Sequence, residues 1–201
     1  LRRTSPVVVD ELVPDILTTG QVQSVLQVLL REGLPIQPLG VILEALSDGA
    51  GRTSEICWLA ERARCRMART ICQQLWGSTQ RAQVIRLDSV LEQQLVDLSR
   101  LDDSGLQMDI PDELVEQFSS ELADELSRLS SDDAPAVLLV CPSLRPIASR
   151  LLRRELPALK VISTAELVDQ LQVETIGTIG RQLVPTLPIS SSSIVQHRRQ
   201  A

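Results

Sequence analysis

Four cysteines, one histidine and a few paired acids are the residues of this 201-residue chain whose types are suited to chemistry. Cys57, Cys65, Cys72 and Cys141 show no CxxC spacing, and the only histidine, His197, lies far along the chain. A zinc site wants more sulfur or imidazole at short spacing. On one helix Cys65 and Cys72 point nearly the same way, but they sit about 10 Å apart along the axis, beyond the ~7 Å a disulfide tolerates. They read as reduced thiols at core edges in a reducing compartment. A Ser or Cys nucleophile needs a base, and His197 is badly placed to be one. No GxxxxGK[ST] motif is present. Gly177 and Gly180 in "ETIGTIG" follow a strand but lead into no helix, so the dinucleotide fingerprint is incomplete. Asp102-Asp103 and Asp132-Asp133 fall in polar loops, where they solvate. No catalytic residue, cofactor or metal is expected, and the chain reads as no enzyme.

What these residues hang on is a core of Leu, Val, Ile and Ala. The chain has no Tyr, one Phe and two Trp, which disfavours binders that stack bases on aromatic rings. Its net charge of −6 is unevenly spread. Residues 1–86 carry a net +2, residues 88–133 a net −12, and residues 134–201 a net +4. The central acidic block repels phosphate and suits basic partners. No run approaches the ~18 apolar residues of a membrane span, and "LRRTSP" does not open a signal peptide. A soluble piece of something longer is expected.

Apolar spacing predicts the elements. Val7 to Val13 reads as a short apolar element ending at Pro14. Thr18-Thr19-Gly20 caps a helix from Gln21 to Arg31, and Gly33 suits a left-handed helix terminus. Pro35 is expected in the first turn of a second helix that stops at Ser47–Gly51. A long helix is expected from Thr53 or Ser54 to Trp76, with Arg62, Arg66 and Arg69 on its wet face. Residues 1–77 thus read as a small all-helical subdomain, with a boundary at Gly77–Gln80.

Beyond the boundary the pattern turns α/β, so the fold class is α+β. Strands are expected at Gln83–Leu87, Ala134–Cys141, Leu159–Ile162 and Gln172–Ile179, with helices at Leu91–Leu98, Asp112–Leu129, Leu144–Leu156 and Thr164–Leu171. Ala136 to Ile162 has the order of a right-handed βαβ crossover within a mixed sheet. The α/β subdomain spans 82–180, and 181–201 reads as a flexible tail.

The stretch from Val7 to Asp48 resembles the cytosolic region of the export-gate family of bacterial type III secretion. That family comprises flagellar FlhA and its injectisome relatives SctV, LcrD, InvA and HrcV. The matching motifs are Glu11-Leu12-Val13-Pro14, Val25-Leu26-Gln27, Arg31-Glu32-Gly33-Leu34-Pro35-Ile36 and Ile42-Leu43-Glu44-Ala45-Leu46. "LAERARCRMARTICQQL", "IRLDSVLEQQL", "APAVLLVCPSLRPIASRLLRRELPALKVIS" and "VETIGTI" follow in the family's order, so the resemblance runs from about Pro6 to Gly180. It marks Glu32, Gly33 and Pro35 as a family-signature turn. It implies the third and fourth cytosolic subdomains of a multi-pass protein at the cytoplasmic face of the inner membrane. Implied partners are other copies of itself in a nine-membered ring, export substrates, chaperones, the gatekeeper protein and secretion ATPase components. The long acidic segment and tail lean toward the injectisome branch.

Two charged patches are candidate subunit or partner contacts. One is Arg145, Arg150, Arg153 and Arg154, and the other is Asp112, Glu113, Glu116, Glu121, Asp124 and Glu125. The alternative is a helix–turn–helix regulator with an α/β effector domain. Reading DNA requires a basic recognition helix, and Pro35–Leu46 holds Glu44 but no Lys or Arg. No nucleic acid is expected.

Overall fold

The computed structural model describes residues 16–79, 81–102, 105–129 and 135–181. The expected element at Val7–Val13, the tail from residue 182 onward, His197 and the Asp132-Asp133 pair lie outside the described residues.

Helix α1 (Thr19–Arg31) starts two residues early because Thr18 and Gln21 cap each other: the Gln21 N–H donates to Thr18 Oγ1 and the Thr18 N–H to Gln21 Oε1. Its end is a Schellman turn. Leu34 N–H donates to Leu29 O and Gly33 N–H to Leu30 O, each at 3.0 Å, with Gly33 at φ 74°.

Pro35 does not open the next helix. Gln37 precedes Pro38 and is thereby biased out of helical backbone, so α2 (Leu39–Ala50) begins after Pro38. α2 ends at Ala50 with Gly51 as its cap, within the expected stop at Ser47–Gly51. It runs through Gly49, where an added Cβ would lie 3.0 Å from Trp58 and 3.1 Å from Leu59. That glycine admits a neighbouring helix rather than ending its own.

The single long helix expected to Trp76 is two, α3 (Ile56–Arg66) and α4 (Ala68–Trp76), broken at Met67. The Met67 N–H is shared between Ala63 O and Arg64 O, a local tightening that leaves Ala60, Ala63, Met67 and Ile71 all in the core.

After β1 (Arg81–Leu87) come α5 (Ser89–Asp97), an antiparallel hairpin of β2 (Ser99–Asp102) and β3 (Gly105–Met108), and α6 (Asp112–Leu129). Then β4 (Val137–Val140), α7 (Arg145–Leu152), β5 (Lys160–Ser163) and β6 (Gln172–Ile179) follow. The expected mixed sheet resolves into a separate hairpin and a four-stranded sheet ordered β5-β4-β1-β6, all of whose pairs are parallel.

α7 ends at Leu152 rather than Leu156, since Pro157 disfavours helix just before it. The helix expected at Thr164–Leu171 is only a 3-10 turn, Thr164–Glu166. Glu166 folds back to cap Ser163, and Leu167 is already extended.

The sheet is covered on both faces. Ala82, Val84, Val137, Leu139 and Ile162 join the core of α1–α4, whereas Ile85, Leu138 and Val140 join that of α5–α7. Burial on both sides explains the unbroken apolar run of β4. It also means that the helices and the sheet share one of the two cores. Among the described residues no helix is long and apolar enough to cross a membrane.

Candidate functional site

Five charged side chains meet where the helical half rests on the α/β half. Glu32 comes from the cap residue of α1, Glu61 and Arg64 from one face of α3, Arg145 from the first turn of α7, and Glu166 from the turn after β5. Arg145 is 1% exposed and Arg64 3%.

Arg145 Nε donates to Glu61 Oε2 at 2.6 Å, and Nη2 reaches Glu61 Oε1 as well. Its Nη1 and Nη2 also donate to the two oxygens of Glu32, each at 3.0 Å. Arg64 donates to Glu32 at 2.6 Å, to Glu166 at 2.5 Å and to the Val161 carbonyl. Ser149 Oγ donates to Glu32 Oε1 at 3.1 Å.

Burial raises the Glu32 carboxyl, but Arg145 and Arg64 outweigh it and hold the group below the usual carboxylate value. Burial pushes Glu61 up, and Arg145 only partly offsets that. Burial opposes the charge on Arg145, yet Glu61 and Glu32 hold it above the ordinary arginine range. Both guanidinium groups are committed to carboxylates on more than one side. Such a network fastens two parts of a chain together; it offers no free base, acid or nucleophile.

The sequence singled out Glu32 as a turn signature, and the structure makes it the centre of this network. Arg145 is corrected: it was expected in an exposed arginine patch, but its place at the first turn of α7 aims it at Glu32 and Glu61. Glu61, Arg64 and Glu166 were missed. The "STAE" spacing of Ser163 to Glu166, a capping-box pattern, was the available signal for Glu166.

All four cysteines are free thiols. Burial pushes Cys57 up to about 12, with Glu61 and Glu55 adding to the effect, and also raises Cys65 and Cys72. Cys72 Sγ donates to the Glu166 carbonyl at 3.2 Å. Among the described residues no group of three or more His, Cys, Asp or Glu is arranged to hold a metal.

The remaining patch residues separate by position. Arg150, Arg153 and Arg154 are exposed at the end of α7, which packs against edge strand β5. Asp112, Glu113, Glu116 and Asp124 are exposed on α6, which packs against the opposite edge strand, β6. Glu121 instead accepts from the Gly180 N–H at 3.0 Å, and Glu125 is half-buried and pairs with Arg128 at 3.3 Å. The two edge strands against which these helices pack lie about 14 Å apart across the sheet. Pro35 lies half-buried in the extended connector before α2.

A profile of the FHIPEP family matches residues 1–172. The flagellar biosynthesis protein FlhA of Salmonella typhimurium is 38% identical over 175 residues, which is 87% of this chain and 25% of that protein. FlhA of Bacillus subtilis is 30% identical over 179 residues, 89% of this chain and 26% of that protein. The chain therefore spans about a quarter of the length of these relatives. The MxiA protein of Shigella flexneri has the same fold, with a TM-score of 0.77 and 26% identity over 89% of this chain and 58% of that one. So do the Chlamydia pneumoniae CdsV in complex with CdsO (TM-score 0.82, 21%, covering 89% and 52%) and the nonameric EPEC SctV-C (0.77, 23%, covering 89% and 53%).

Proposed function

The chain belongs to the FHIPEP family, and from that premise we propose that it is a non-enzymatic cytosolic part of a type III export gate. It forms part of a nine-membered ring at the cytoplasmic face of the inner membrane, receives chaperone–substrate complexes and helps pass unfolded proteins to the export channel. Export substrates, chaperones, the gatekeeper and secretion ATPase components are its partners. Residues 1–77 and 82–180 are the third and fourth cytosolic subdomains, and the shared core and the Arg145 network make them one unit. Relatives of both branches match the chain, FlhA in sequence and MxiA and SctV-C in fold.

The observation that carries ring formation is the separation of charge onto opposite sheet edges. A ring closes through unlike surfaces of neighbouring subunits, so complementary patches belong at two different places on each copy. Arg150, Arg153 and Arg154 beside β5, and Asp112, Glu113 and Glu116 beside β6, meet that condition. The nonameric SctV-C has the same fold, which supports it. A regulator that reads DNA is not supported: α2 carries Glu44 and Asp48 and no basic residue.

Sedimentation velocity over a concentration series, at low and high salt, tests the proposal. As 201 residues free in solution, the chain is expected mostly monomeric when dilute, with weak association that salt suppresses. A tight, salt-indifferent symmetric dimer would refute these patches as ring contacts.

A further inference from the structure

A cleft of about 200 Å³ opens where the turn after α1 meets the end of α7 and strand β5. Its apolar wall is Leu30, Leu34, Ile71, Leu75, Leu152 and Leu159. Leu30 stands at the mouth, 51% exposed, and a second hollow continues from it over Leu34 and Pro35. Three cations, Arg31, Arg153 and Lys160, line the same cleft. None of them forms a salt bridge among the described residues. The Lys160 ammonium lies over the turn, 3.4 Å from where a Cβ on Gly33 would be. Arg64 also borders the cleft, and its buried Nε–H has no hydrogen-bond partner. The single acid of the lining, Glu32, is already bonded to Arg64, Arg145 and Ser149.

We propose that this cleft binds an aliphatic carboxylate: a branched apolar side chain seats among the leucines and its carboxylate lies toward Lys160 and Arg31. The last residue of a polypeptide with a free C-terminus has this chemistry, and so does a free short-chain carboxylate. Other ligand classes fit less well. No aromatic ring lines the cleft to stack a nucleobase, and its volume falls short of the ~300 Å³ at which pockets for larger ligands begin. A phosphate is best held by several free backbone N–H groups, but those of Gly33 and Leu34 are spent in the Schellman turn. A carboxylate asks for fewer donors, and two flexible cations supply them.

The test titrates the full chain, at a concentration where it is monomeric, with three probes followed by amide NMR shifts. They are hexanoate, a tetrapeptide ending in leucine with a free carboxylate, and the same peptide amidated. The free-acid peptide is expected to bind with shifts centred on Gly33, Leu34 and Lys160, and the amide to bind about tenfold more weakly or worse. Lys160→Gln and Arg31→Gln each weaken the free acid by a similar factor with unchanged circular dichroism. Leu30→Ala, at an exposed position, weakens both acids and is the control that stays folded. Hexanoate binding as tightly as the peptide keeps the site and assigns it to a small free carboxylate. Equal affinity for acid and amide, no shift at millimolar probe, or shifts away from the cleft would overturn the proposal. None of these substitutions touches the proposed ring contacts at Arg150, Arg153 and Arg154, of which Arg153 also lines the cleft, so a failure here leaves ring formation standing.

Discussion

Arg145 holds two buried carboxylates, and its removal strands Glu61, while Glu32 keeps Arg64 and Ser149. Deleting one partner of a buried ion pair costs about 3–5 kcal/mol, because the remaining charge keeps its desolvation penalty. Arg145→Leu is therefore expected to lower unfolding free energy by about that amount in a urea titration. Arg154→Leu, on the surface, should change it by less than about 0.5 kcal/mol. Equal, small losses would show that the network contributes little to stability. The acid response has a definite sign. Glu32 titrates below its unfolded value of 4.5 in the folded chain, so its contribution is complete above that pH and is lost as pH falls through the folded value. Glu61 is shifted upward, so its contribution is complete at low pH and is lost as pH rises through its folded value. Melting midpoints taken from pH 7 down to about 3 should accordingly fall less steeply in Glu32→Gln than in the parent. Parallel curves would place the acid sensitivity on other carboxylates. The sequence exposed Glu32 through its signature turn, but it misplaced Arg145. A lone arginine ahead of a proline looks like any solvated residue, since fully buried arginines are rare and need partners distant in sequence.

The turn after α1 depends on a residue that accepts positive φ. Gly33→Val should therefore lose about 1 kcal/mol or more in thermal denaturation, whereas Gly33→Asn should lose less because asparagine tolerates that conformation. An unchanged midpoint for valine would mean that the turn relaxes freely. Elements set by local chemistry were legible in the sequence. The bounds of α6 behind Pro111 and of β6 match expectation, and the left-handed glycine at 33 was read from its spacing. What escaped depends on distant contacts. The helix expected after Ser163 gives way to a turn whose Glu166 is bonded to Arg64. The β2–β3 hairpin has strands of four residues, too short for a period to show. The network itself was invisible for the same reason: Glu32 and Arg145 are 113 residues apart.

Assembly is a property of the whole surface, so its sharpest test exchanges charge between surfaces. A variant with Arg150, Arg153 and Arg154 changed to Glu should not self-associate, and neither should one with Asp112, Glu113 and Glu116 changed to Lys. Mixed together, the two present opposite charges at both contacts, and association in low salt should return. Failure of the mixture to associate would separate these patches from the ring contact. The strand order has a consequence of another kind, in the making of the chain. Every residue of β1, from Arg81 to Leu87, pairs with β6, whose residues lie about ninety positions later. A nascent chain leaving the ribosome can build the helical half and pair β1 with β4 and β4 with β5 while β6 is still unsynthesised. During that interval β1 shows an open edge, with unpaired amides and carbonyls that other nascent strands are able to join. Translation speed between Ser163 and Ile179 sets how long that edge stays open. Slower synthesis there is expected to raise the aggregated fraction without any change in the finished fold.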